Sequence, residues 1–175
     1  MRKEYGKVLR DLFTESMKRT LPQFEPVKYP SNMYVIPGER IFRWIPKEPI
    51  HCFVILSPSP KDYDEFTVEI GWSTNSRFPE LSMRPSGRPT NNRSEFSEAE
   101  YTCRLPDLLP GLDEWWGISS MSISGFKNVF NAINDSIKPI SKEKAKEVVL
   151  PAVNESMDLL LSHGVPYLNE FYESR

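Results

Sequence analysis

Two runs of sequence decide the fold: His51-Cys52-Phe53-Val54-Ile55-Leu56-Ser57 and, after a proline-rich turn, Phe66-Thr67-Val68-Glu69-Ile70-Gly71-Trp72. In the second run Phe66, Val68, Ile70 and Trp72 alternate with Thr67, Glu69 and Gly71, the period of a strand with one buried face. In the first, Phe53 to Leu56 are apolar without a break, as in a central strand covered on both sides. The linking Ser57-Pro58-Ser59-Pro60-Lys61-Asp62-Tyr63-Asp64 is too short for the crossover that parallel neighbours need, so the pair reads as antiparallel.

Working outward, Met33-Tyr34-Val35-Ile36 and Ile41-Phe42-Arg43-Trp44-Ile45 read as two earlier strands. Pro37-Gly38 suits the centre of a type II turn between them, with proline setting φ and glycine accepting a positive one. Pro46-Lys47-Glu48-Pro49 turns the chain into the 51–57 strand, and Tyr101-Thr102-Cys103-Arg104-Leu105 reads as a fifth, edge strand. Short connections among the first four predict an antiparallel meander of four to five strands.

Helical periodicity marks both ends. Over residues 2–20, Tyr5, Val8, Leu9, Leu12, Phe13 and Met17 form one apolar stripe, and Leu21-Pro22 ends it. Pro22, Pro26 and Pro30 then predict an extended connector. Phe126, Val129, Phe130, Ile133 and Ile137 predict a helix over 126–138. Another follows over 141–163, capped by Ser141, with Ala145, Val148, Val149, Ala152, Val153, Met157, Leu160 and Leu161 as its stripe. Pro151 is expected to kink or divide it, and Gly164 with Pro166 to stop it. Trp115-Trp116-Gly117-Ile118 is expected to plug a corner of the core. The sum is one α+β domain over 1–175, its helices mainly on one face of the sheet, with a long loop at about 73–98.

Composition narrows the function. The 175-residue chain has 26% charged residues and a net charge of −2, which argues against nucleic acid or an anionic membrane as partner. No apolar run reaches the ~18 residues of a membrane span, and none follows Met1 as a signal peptide would require. The expected compartment is the cytoplasm. Two cysteines make no disulfide framework, and Cys52, inside an apolar strand, is expected to be a buried, inert thiol. Residues 94–116 carry Glu95, Glu98, Glu100, Asp107, Asp113 and Glu114 against Arg104 alone, which reads as a solvated acidic face.

No catalytic residue, cofactor or metal is assigned. His51 and Cys52 are adjacent on a strand and point to opposite faces, and His163 and Cys103 complete no ligand set. The serines of Ser119 to Ser124 form no nucleophile elbow. Asp62, Asp64, Glu65 and Glu69 do not follow the spacing of a calcium loop and read as a solvated turn. Binding is the better reading. Arg77, Arg84, Arg88 and Arg93 share the 73–98 loop with Glu80, and guanidinium forks there suit a protein partner with an acidic surface. The rival is a small enzyme or ligand-binding protein whose pocket, between sheet and helices, is lined by Trp44, His51, Glu69 and Trp72.

The strand Phe66 to Trp72, the opening amphipathic helix and the closing Gly164-Val165-Pro166-Tyr167-Leu168 together resemble a class of small bacterial α+β proteins. Some of those resemble immunity proteins encoded beside secreted toxins. The resemblance implies the same order of elements and a non-enzymatic, cytoplasmic protein-binding role, and it carries over no functional residue.

Overall fold

Strand pairing in the computed structural model, which describes residues 1–28, 37–61, 64–74, 100–118 and 140–174, follows the side-chain alternation. The elements are α1 (Lys3–Thr20), β1 (Glu25–Pro26), β2 (Arg40–Lys47), β3 (Ile50–Pro58), β4 (Glu65–Ser73), β5 (Glu100–Arg104), β6 (Trp116–Gly117), α2 (Lys142–Leu159) and α3 (Val165–Glu173). The sheet is antiparallel in the order β1-β2-β3-β4-β5, and β6 also pairs with β4. This is the expected α+β meander with terminal helices. The readings of Met33–Ile36 as a strand, of 126–138 as a helix and of the loop at about 73–98 lie outside the described residues, except that Ser73 closes β4 and Thr74 follows it.

Register sets the two faces. Phe42 opposes Val54, which opposes Ile70, which opposes Cys103. These join Cys52, Leu56, Phe66, Val68 and Trp72 in one cluster with Leu9, Phe13 and Met17 of α1 and Val149, Val153 and Leu168 of the C-terminal helices. Both terminal helices therefore cover the same face, and α1 also packs on α2. The α1 stripe is buried from Tyr5 to Met17 as its spacing demands. Ser141 caps α2 as expected, its Oγ accepting from the Lys144 N–H at 3.2 Å. Gly38 has φ +89°, the conformation required after Pro37 in the turn into β2.

Several local expectations are corrected. The connector after α1 contains β1, where Glu25 and Pro26 pair with Arg43 and Phe42, and edge placement is what makes proline tolerable there. The register slips between Trp44 and Lys47, a bulge that takes up Pro46 and its missing N–H. Pro151 does not divide its helix, since α2 continues through it. Gly164 does not stop the chain either. It is right-handed, within a π-turn over Leu160–Gly164 that runs straight into α3 with Pro166 in the first turn, where a missing N–H costs least. Space beside it is limited: a Cβ on Gly164 would lie 2.8 Å from Leu105 Cδ1 and from Leu160 Cδ1, so those methyls would have to move. Leu161, assigned to the core stripe, is 39% exposed, because the buried line passes through Leu160, Gly164 and Leu168 instead.

The turn before β4 is not simply solvated. Asp64 accepts from the Arg2 backbone N–H at 2.8 Å and from its Nε at 2.7 Å, tying the start of α1 to the β3–β4 hairpin. The Arg2 guanidinium also lies 4.2 Å from the Tyr5 ring centre.

Candidate functional site

The four residues proposed to line one pocket lie on two faces. Trp44 and Trp72 point toward the helices. Trp72 stacks on Phe171 with ring centres 3.8 Å apart and meets Tyr101 at 4.8 Å, while Trp44 sits against Phe24 and Tyr172. Those contacts make both tryptophans part of the packed core. His51 and Glu69 occupy the other parity and face away from α1 and α2. Arg77, Arg84, Arg88 and Arg93 lie outside the described residues.

The face carrying His51 and Glu69 is unusual chemically. Ile41, Phe53 and Ile55 form a small apolar cluster in its middle, and the buried polar residues Glu39, His51, Ser57, Thr67 and Ser73 surround it. Ser57 donates its single hydroxyl proton to Glu39 Oε1 at 3.2 Å and also bonds Glu69. Burial pushes the Glu69 carboxyl above its ordinary value, against the opposing pull of Ser57 and Arg104. Thr67 Oγ1 is buried without a hydrogen-bond partner. The His51 ring nitrogens make no hydrogen bond, although Nε2 comes within 3.4 Å of Glu48 Oε2. The face therefore joins two carboxyl groups through one serine hydroxyl.

The helix-covered face is chemically quieter. Cys52 and Cys103 are free and buried, and burial pushes each thiol up to about 12, so neither supplies a thiolate near neutrality. Among the described residues no three His, Cys, Asp or Glu side chains are grouped to hold a metal ion, and no helix is long and apolar enough to cross a membrane.

An open cleft of about 780 Å³ lies elsewhere, between the Pro106–Gly117 segment and α2. β5 and β6 pair along the same edge of β4, opposite Glu69–Ser73 and Glu65–Phe66 respectively. The chain between them leaves the sheet, turns through a 3-10 helix at Leu105–Leu108 and returns, making one wall. Trp116 anchors that return by stacking on Phe66, with ring centres 5.6 Å apart. The other wall is a stripe of α2 and the π-turn, from Val148 through Ala152, Glu155 and Leu159 to Ser162. In comparisons with known proteins, no family model, no curated protein and no solved structure matches this chain.

The cleft combines an apolar floor with an acidic rim. Leu109, Trp115, Trp116, Val148 and Leu159 supply the apolar surface, and Leu112 at its mouth is 49% exposed. Asp113, Glu155 and Asp158 supply carboxylates, and among the described residues no Lys, Arg or His lines the cleft. Arg104, close by, is committed to an ion pair with Glu114 and lies over the Trp115 ring at 5.2 Å. Both the tryptophans and the acids of this segment stand out in the sequence. Their pattern predicts core for the first and solvent for the second. Trp116 and Ile118 are indeed buried, whereas Trp115 remains half-exposed on the cleft.

Proposed function

We propose that this chain is a non-enzymatic binding module whose recognition surface is the cleft between Pro106–Gly117 and α2. The observation that carries the reading is the exposed apolar surface there, with Leu112 and Trp115 held open to solvent between two ordered walls. Apolar surface left open in a concave site is where proteins place recognition. The finer reading, binding of a protein partner by a bacterial, cytoplasmic immunity or adaptor protein, follows the same surface. The four arginines at 77–93 remain a second candidate contact for an acidic partner.

A photo-crosslinking residue at Leu112, compared with one at the exposed Glu25 on the far edge of the sheet, tests the assignment in cells that make the protein. A partner captured from Leu112, identified, purified and then lost on Leu112→Asp would support it. Equal capture at Glu25, or unchanged binding by Leu112→Asp, would refute it. A purified metabolite that raises the melting temperature of the wild type but not of Leu112→Asp would keep the cleft and replace protein binding with small-molecule binding.

A further inference from the structure

We infer that the cleft is shaped for one class of occupant, a basic amphipathic segment of a partner protein; this rests on the cleft being the recognition surface. The argument begins with charge. Asp113 on one wall and Glu155 and Asp158 on the other place three carboxylates around the opening, with no Lys, Arg or His lining it among the described residues. Arg104, just before the Pro106 wall, is already paired with Glu114 and laid on Trp115. A ligand entering here has to bring positive charge of its own.

The floor sets the second requirement. Val148, Ala152 and Leu159 face Leu109 and Trp116 across the cleft, so an occupant must also present apolar groups. Lys and Arg side chains meet both demands, since their aliphatic stems lie on apolar surface while the head groups reach carboxylates. Trp115 adds an aromatic ring of the type that attracts a cation, as Arg104 already demonstrates on it.

Length is the third element. The α2 stripe from Val148 to Ser162 runs for about 20 Å at the rise of a helix, which accommodates about four turns of a partner helix. Helix-in-groove recognition uses anchors three and four residues apart, and the wall offers contacts at the same spacing. The π-turn at its end belongs to this wall, because Leu159 and Ser162 flank and occupy it and both line the cleft.

The test uses the full chain and two fluorescein-labelled peptides of about 14 residues, each with Leu at helical i, i+3, i+4, i+7 spacing and either Lys or Glu elsewhere. Anisotropy should show the Lys peptide binding at least about tenfold tighter than the Glu peptide, and weakening as salt rises from about 50 to about 500 mM. Combining Asp113→Asn, Glu155→Gln and Asp158→Asn should reduce Lys-peptide binding about tenfold. Combining Glu15→Gln, Glu25→Gln and Glu173→Gln, which removes the same charge elsewhere, should leave it within about twofold. Equal losses from the two triple variants would reduce the effect to net charge and overturn the inference, as would equal binding of the two peptides. Circular dichroism melts confirm that both variants fold. If the partner captured at Leu112 binds the neutralised cleft as well as the wild type, the basic-segment inference falls and the binding-surface reading stands. Loss of Leu112 capture itself would remove both.

Discussion

The two faces of β3 differ by a single step along the chain. Cys52, Val54 and Leu56 lie under α1 and α2 among apolar neighbours, whereas His51 and Ser57 flank Phe53 and Ile55 on the reverse side, beside Glu39, Thr67 and Glu69. Both faces are buried, so the contrast is one of chemistry rather than access to water. The difference teaches that burial alone does not make a face stabilising. The helix-covered side gains from every methylene it hides, while the other side must satisfy each polar atom it removes from water.

The largest effect that can break this contrast is on the covered side. Trp72 is 2% exposed and is packed between Phe171, Tyr101 and Tyr167, so Trp72→Ala should cost about 3–5 kcal/mol in urea unfolding. A loss under about 1 kcal/mol would mean that the stack contributes no core packing.

On the reverse face the sign should change. Thr67→Val replaces a buried hydroxyl that has no hydrogen-bond partner with a methyl of similar shape, and should stabilise by about 1 kcal/mol in the same assay. Destabilisation of that size would show that the hydroxyl is satisfied and that the two faces do not differ as described.

The smallest effect depends on pH. Because burial raises the Glu69 carboxyl, the folded state holds its proton above 4.5, where the unfolded chain has begun to lose it. Between the two values the native state binds more protons, so the wild type loses stability as pH rises through that window. Glu69→Gln should therefore gain on the wild type as pH rises above 4.5, with the gap closing at the acid end. A pH-independent gap in the unfolding midpoints would assign the effect to packing instead.

How much of this was legible depended on whether the signal was local. The α1 stripe from Tyr5 to Met17 and the alternation Phe66 to Trp72 are read directly, because spacing within one element decides which side is buried. β1 and β6 are two residues each and have no pattern of their own; pairing with β2 and β4 creates them. Gly164 was misread for a physical reason. The residue type signals either a positive φ or lack of space, and only the approach of Leu105 distinguishes the two.

The proposed tryptophan pocket was half-testable from sequence. Glu69 and Trp72 are three apart on one strand, so parity already separates them. Placing Ser57 between Glu39 and Glu69 instead required the β2–β3–β4 register. The cleft was out of reach altogether, because its walls come from segments far apart in the chain that meet only through long-range packing.

The two-residue strand β1 has a consequence for colloidal behaviour. A sheet that ended at β2 would present eight residues of backbone as a template for another copy. β1 covers part of that border with two residues, one of which, Pro26, has no N–H to offer an incoming strand. Replacing Pro26 with a residue that donates would therefore give a neighbouring molecule one more point of attachment, and fibril seeding is where that change should register.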